Sequence, residues 1–507
     1  MRVNTRRRTL PLSSSRLIGD NGGMAPARHI SKEAFLAALS CATQGWLLLR
    51  EEDEAPTAGE RLRMEEGKEV HQRARALHTS GVLAGSVEET QRLIASGTGV
   101  IFEAAFEAGV YAARADWIRR TKKGLLVGEI KSSLFNEDGP PDDLIDDIAY
   151  TVSVIRRSGV AVVGAELVQL NRDWRFGMAE ADLFRISDQT KAVDERCKDF
   201  DSNWDRLGRS LTASRRPKSK LCWECRACEF FGDGCIGDDI KHPVFILPRL
   251  NEKRFVELLA DRIVEATDIP SSFPITAPQR VVVKALKTAR PVVDKATLSS
   301  HLSRIKWPAA YLDFETLKTA IPLWPDVAPH EQLVAQYSIH VCSKPGVEVA
   351  HREYLAQADR DCRRELAERL IADLKDSKSI VVYSSFESRI IRELGERFLD
   401  LQKPLEGLRA QLFDLEPVVR SCYVHPEFGG RSSIKVVLPV IAPDLSYDDL
   451  EVGHGDSAMA VFAAMAKGEV AWEDMERARR DLLAYCKLDT LAMVRLHRWL
   501  DECVESQ

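Results

Sequence analysis

The chain comprises 507 residues, 45% hydrophobic and 29% charged, with a formal net charge of −6. That length holds two or three domains, each large enough for a full core, and the composition is that of an ordinary globular protein. The acidic balance excludes a uniformly basic nucleic-acid binder, and the lack of any apolar run near the ~20 residues of a membrane helix excludes a helical membrane-spanning protein.

In chain order, residues 1–28 carry Arg2, Arg6, Arg7, Arg8 and Arg16 among serines and glycines and read as a disordered basic tail. An Arg- and Ser-rich, acid-poor start also suits an organellar presequence. No secretory signal is apparent, so a reducing, cytoplasmic compartment is expected. The first domain is expected over 29–240. Ser31–Ser40 has helical spacing and ends at Cys41, and Gly67-Lys68-Glu69-Val70-His71 lies on a further helical stretch. Tyr111–Ile118 and Gly124–Ser133 read as strands joined by the basic turn 119–124. Side chains alternate along a strand, so Glu129 and Lys131 share a face. A helix is expected over Asp142–Arg157.

Asp116 followed by Glu129-x-Lys131 resembles the core of the PD-(D/E)XK nucleases, although Glu-x-Lys also occurs in many solvated hairpins. Two carboxylates bind a metal there, and the lysine places a positive charge near the attacking water and the developing phosphorane. Gly67–His71 resembles the helical motif that gives RecB-type members a histidine metal ligand, and Phe102-Glu103-Ala104 is similar to a strand of that subgroup. The resemblance implies metal binding by His71, Asp116 and Glu129, with Lys131 as the catalytic cation. Where the subgroup has Gln-x-x-x-Tyr, this chain has Asp146 and Tyr150, which leaves open how the centre grips a strand.

Of 11 cysteines, Cys222, Cys225, Cys228 and Cys235 fall in one short segment. Disulfides are not expected in a reducing compartment, and close spacing gathers thiolates at little entropic cost. Four thiolates fit either Zn²⁺ or an iron-sulfur cluster. RecB-type nucleases with an iron-sulfur staple, such as CRISPR adaptation nucleases and AddB-like subunits, place one cysteine before the nuclease core and three after it. That resemblance implies a [4Fe-4S] cluster on Cys41, Cys222, Cys228 and Cys235, with Cys225 as a spare or substitute and Zn²⁺ as the alternative. The remaining cysteines read as core packing.

Residues 241–306, punctuated by Pro270, Pro274 and Pro278, read as a helical linker. The second domain, 307–507, alternates strand and helix, which suits a mixed sheet with carboxylates at strand ends. Asp313 and Glu315 project from one strand face, and helical spacing sets Tyr485 and Asp489 one turn apart. These residues resemble the DnaQ-like 3'-5' exonucleases of the ribonuclease-H-like fold, in the branch whose last motif is Tyr-x-x-x-Asp. The resemblance implies that Asp313, Glu315 and Asp489 hold Mg²⁺ or Mn²⁺ and that Tyr485 orients the attacking water. Tyr383-Ser384-Ser385-Phe386-Glu387 is similar to that family's middle motif, with Glu387 where Asp is usual; Asp414 is the competing candidate.

Gly429–Pro439 and Leu445–Leu450 resemble the signature of an uncharacterised bacterial family that joins a RecB-like module to a DnaQ-like one. Ser432 and Lys435 are candidate phosphate contacts, and a helix cap is the alternative for the serines. The expected fold is α/β: a PD-(D/E)XK nuclease domain with a cysteine cluster, followed by a ribonuclease-H-like mixed sheet. The expected activity is metal-dependent cleavage of DNA, on single strands or from ends, with RNA left open. The alternative is a nucleic-acid-binding or scaffolding component with one or both centres inactive.

Overall fold

The computed structural model describes residues 29–51, 55–232, 235–447, 450 and 452–506. The expected basic tail 1–28, and Asp448 and Asp449 of the Leu445–Leu450 motif, lie outside the described residues. The chain divides into two units, one of the residues up to Ala55 with Glu65–Lys241, the other of Pro56–Met64 with His242 onward. Both are mixed α/β.

The first unit is built on a six-stranded sheet, β1 (Val82–Leu83), β2 (Val100–Ala108), β3 (Tyr111–Arg120), β4 (Leu125–Leu134), β5 (Val162–Leu170) and β6 (Phe184–Asp188), ordered as in the sequence. The pairs β1–β2 and β4–β5 are parallel and the other three antiparallel. Gly128 is required at the β3–β4 crossing, because a Cβ there would stand 2.0 Å from Trp117 Nε1. The helix Asp142–Arg157, found over the expected span, lies against β2 and β3 with Thr190–Thr212 beside it. Their apolar faces meet Phe35, Tyr111, Tyr150 and Trp204, whose rings pack edge-on and tilted at centroid distances down to 4.2 Å.

The second unit has a five-stranded sheet in the order β10-β9-β8-β11-β12: β8 (Ala309–Leu317), β9 (Leu333–Lys344), β10 (Val347–Leu355), β11 (Ser379–Val382) and β12 (Leu412–Asp414). β9 is antiparallel to both β8 and β10, whereas β11 is parallel to β8 and β12. The helices Trp472–Glu505 and Gly455–Ala466 lie against β8. Residues 309–312 of β8 and 333–342 of β9 are buried, whereas Asp313, Glu315 and Thr316 are only partly so.

Residues 241–306 differ from the expected linker. From His242 on they count with the second unit, where β7 (Val292–Val293) pairs with β13 (Tyr423–Val424). Leu298, Leu302 and Ile305 join Ala309 and Tyr311 in one buried cluster, so this segment closes the core behind β8. Among the described residues no helix is long and apolar enough to cross a membrane.

Candidate functional site

In the first unit β3 supplies Asp116, β4 supplies Glu129 and the helix Ala58–Arg75 supplies His71. His71 Nδ1 stands 3.6 Å from Asp116 Oδ1, and the Ile130 N–H donates to Asp116 Oδ2 at 2.6 Å. Removal from water and the neighbouring Glu129 charge push Asp116 up to about 8. Burial lowers His71 below its ordinary value, which favours the neutral imidazole that ligates metals.

The acids that converge are not quite those expected. Ligand atoms of His71, Glu103 and Asp116 all lie within 4.8 Å of one another, and Glu129 is outside that set. Lys32 Nζ and Lys131 Nζ meet the same oxygen, Glu129 Oε1, at 2.9 and 3.0 Å, and both also reach Asp147. Burial raises the Glu129 acid, but the Lys131 and Lys32 ammoniums outweigh it and hold Glu129 below the carboxylate range. Its other oxygen, Oε2, is buried without a hydrogen-bond partner among the described residues. Lys131 is thus paired with Glu129 and Asp147, and Lys32 and Asp147 are contacts that no local pattern announces. Asp146 is paired with Arg196, at 2.5 Å for Oδ1 and Nε, and Tyr150 is buried with its hydroxyl donating to the Ile30 carbonyl at 2.7 Å. Both are engaged with protein groups.

The five cysteines gather as a set, and all are free thiols. A hydrogen bond with Cys222 and removal from water drive the Cys41 thiol well above its ordinary range. Cys222 Sγ and Cys225 Sγ are 3.5 Å apart, and that contact pushes Cys222 up to about 12 while lowering Cys225. Cys228 feels both Cys41 and Cys235. The cysteines form no group of three within 4.8 Å among the described residues. Around a single zinc ion, with Zn–S near 2.3 Å, neighbouring sulfurs stand about 3.8 Å apart. Cys222 and Cys225 stand about that close, while no three of the sulfurs do among the described residues.

In the second unit β8 presents Asp313 and Glu315, and the helix Trp472–Glu505 presents Tyr485 and Asp489. Ligand atoms of the three acids all lie within 4.8 Å of one another. Removal from water, then the charges of Asp489, Glu315 and Glu387, drive Asp313 far above the carboxylate range. Burial and Asp489 push Glu315 up to about 8, against the pull of Lys435. Asp489 is raised by burial, although Tyr447, Lys435 and Tyr485 act the other way. Such a set repels itself at neutral pH unless cations enter, and hard oxygen donors suit Mg²⁺ or Mn²⁺.

Around these acids the hydrogen bonds are ordered. The Tyr447 hydroxyl donates to Asp489 Oδ1 at 2.5 Å, and Lys435 Nζ donates to the Tyr485 hydroxyl at 2.9 Å. Gly455 backs the site closely, since a Cβ there would stand 3.8 Å from Glu315 Oε2 and 3.9 Å from the Tyr485 hydroxyl.

One family matches. Residues 310–433 fit a domain of unknown function (DUF2779). That stretch holds Asp313, Glu315, Glu387 and Ser432 but stops short of Lys435, Tyr485 and Asp489. The chain is 24% identical over 234 residues to the Uncharacterized protein MG366 homolog of Mycoplasma pneumoniae, covering 40% of this chain and 34% of that protein. It is 22% identical over 230 residues to the Uncharacterized protein MG366 of Mycoplasma genitalium, with 40% and 33% covered. Against the Uncharacterized protein UU173 of Ureaplasma parvum it is 22% identical over 227 residues, with 40% and 32% covered. The chain thus spans about a third of the length of these relatives.

Glu387 lies outside the set of three acids, although its charge reaches Asp313. It is buried, pushed up to about 7 by removal from water, and accepts from Ser384 Oγ at 3.1 Å. Asp414 acts on Glu387 and accepts the Glu416 N–H, so it is a neighbour rather than a substitute. The two candidate phosphate contacts face protein groups: Ser432 Oγ donates to Glu416 Oε1 at 2.5 Å, and Lys435 is on Tyr485. Tyr447 is the residue that motif reasoning left without a role.

Proposed function

We propose that this chain is a metal-dependent nuclease, with a DnaQ-like, ribonuclease-H-like centre in the second unit and a PD-(D/E)XK-type centre in the first. The observation that carries the reading is the convergence of Asp313, Glu315 and Asp489 beside Tyr485, since no structural need brings three acids together in surroundings that resist their ionisation. The strand order β10-β9-β8-β11-β12, with only β9 reversed within the run β9-β8-β11-β12, supports the second-unit assignment.

Asp313, Glu315 and Asp489 would hold Mg²⁺ or Mn²⁺, with Glu387 near enough to bias Asp313. Such an ion supplies an activated water and offsets charge on the phosphate. Tyr485 would orient that water, its hydroxyl fixed by the Lys435 ammonium, while Tyr447 fixes Asp489. In the first unit, Asp116 and His71 would bind the ion and Lys131 would steady the developing negative charge. The five gathered thiols would hold a [4Fe-4S] cluster on Cys41, Cys222, Cys228 and Cys235, with Cys225 within reach and Zn²⁺ as the alternative. Exposed Arg215, Arg216, Lys218 and Lys220, just before Cys222, suit a phosphate backbone. DNA, as single strands or ends, is the proposed substrate.

The test is digestion of end-labelled single- and double-stranded DNA and RNA by anaerobically purified protein, with and without Mn²⁺. Asp116→Ala and Asp313→Ala should each remove a different set of products, and Asp489→Ala should reproduce Asp313→Ala. Nucleic-acid binding that persists in chelator, with no cleavage when Mn²⁺ is restored, would leave a binding or scaffolding component instead.

A further inference from the structure

Strand β2 departs from ordinary strand backbone at one residue. Glu103 has φ 53°, in the left-handed region that a long side chain rarely enters. Its neighbours stay in the ladder, Phe102 pairing with Trp117 and Ala104 with Ala115, and this register sets Glu103 directly opposite Asp116. Two carboxylates facing one another across antiparallel strands destabilise the pair unless positive charge stands by. Arg75 Nη2 takes one oxygen, Glu103 Oε1, at 2.6 Å. On the helix side His71 Nδ1 stands 3.6 Å from Asp116 Oδ1.

A second and independent observation points to a cation. Glu129, on the strand paired with that of Asp116, is buried, and its Oε2 has no hydrogen-bond partner among the described residues. A buried carboxylate oxygen without a donor is costly, and a metal ion satisfies it.

We infer that Glu103 is a cation ligand, and that His71, Glu103 and Asp116 hold a divalent ion in the first unit, beside the unpartnered Glu129 Oε2. Lys32 and Lys131 occupy the other Glu129 oxygen and keep that side chain in place. The left-handed backbone at Glu103 is then the local strain that such a site stores. One imidazole among hard oxygens suits Mn²⁺ somewhat better than Mg²⁺. The assignment borrows only the ion's identity from the nuclease reading.

The experiment measures cation binding rather than cleavage. Full-length protein carrying Asp313→Asn, which disables the second-unit acids, is stripped with chelator and titrated with Mn²⁺, free aqueous Mn²⁺ being counted by electron paramagnetic resonance. The parent should bind one Mn²⁺ that Asp116→Asn removes. Loss of even an outer-shell partner weakens metal sites roughly 10–100-fold, so Glu103→Gln should weaken binding at least about tenfold. Glu103→Gly, whose backbone accepts positive φ, should lose the ion too while its melting temperature in chelator holds or rises, because strain and a facing charge are both removed. Arg75→Gln should keep the Mn²⁺.

Unchanged Mn²⁺ affinity in both Glu103 variants overturns the inference, as does a parent that binds no Mn²⁺. So does a loss in Arg75→Gln as large as in Glu103→Gln, which would make the pair a structural ion bridge. Protein that binds Mn²⁺ through Glu103 yet cleaves no nucleic acid would sink the nuclease reading and leave the ligand standing. Cleavage with unchanged Mn²⁺ affinity in Glu103→Gln would do the reverse.

Discussion

At the residue scale, Lys435 separates an electrostatic role from a structural one. Its ammonium touches the Tyr485 hydroxyl and lowers both Glu315 and Asp489, so it competes with a divalent ion while holding the phenol in place. Even at the dielectric of bulk water, a unit positive charge about 5 Å from a divalent ion costs roughly 1.7 kcal/mol, so removing it should tighten Mn²⁺ binding on the order of tenfold or more. Lys435→Met should therefore bind Mn²⁺ more tightly and cleave on the order of a hundredfold more slowly, the scale of a lost acid–base or orienting group. A merely structural lysine would weaken both properties together, and calorimetric titration beside single-turnover assays distinguishes the cases. The acids themselves set the pH dependence of stability. Glu315 moves from 4.5 when unfolded to about 8 when folded, and Asp116 from 3.8 to about 8. Raised acids favour the protonated fold, so their contribution is complete below the unfolded values and is lost as pH climbs through the folded ones. In chelator the melting temperature should fall by several degrees between pH 5 and pH 8, and Mn²⁺ should restore most at the alkaline end.

At the element scale, the second-unit centre depends on how the helix Trp472–Glu505 is fastened to β9, the strand beside β8. Thr490, next to Asp489, is buried, and its hydroxyl meets Ser338 Oγ at 2.8 Å and His340 Nδ1 at 2.8 Å. Ser338 is the register partner of Asp313, so one small network fixes both carriers of the acids. Thr490→Val keeps the shape but leaves Ser338 and His340 short of a partner, which should cost about 1–3 kcal/mol in denaturant unfolding. It should also weaken Mn²⁺ binding, although Thr490 touches none of the three acids. This network was not legible in the sequence. A threonine in an amphipathic helix and a serine in a strand are ordinary, and only packing shows that they meet. By contrast, the strand run at Asp313 and the helix Asp142–Arg157 were legible, because alternation and helical periodicity are local signals.

At the scale of the whole molecule, the cysteine set draws on two distant parts of the first unit. Cys41 ends the helix Lys32–Ser40, whose first residue reaches Glu129, while Cys222, Cys225, Cys228 and Cys235 come after the sheet is complete. Anaerobically purified protein should carry about four irons per chain and a visible charge-transfer band. Cys41→Ser should lose much of that iron and disturb the first-unit centre, through Lys32, more than the second. Colourless protein with stoichiometric zinc would reject the cluster.

By itself the sequence determined the α/β class, the positions of several strands and helices, and the residue types able to bind metal, because each follows from short-range periodicity and side-chain chemistry. Tertiary structure alone decided that residues 241–306 close the second core, that Glu103 rather than Glu129 stands with His71 and Asp116, and that Lys435 and Tyr447 brace Tyr485 and Asp489. Those are contacts between residues far apart in the chain, fixed by strand register and helix packing, and no local pattern encodes them.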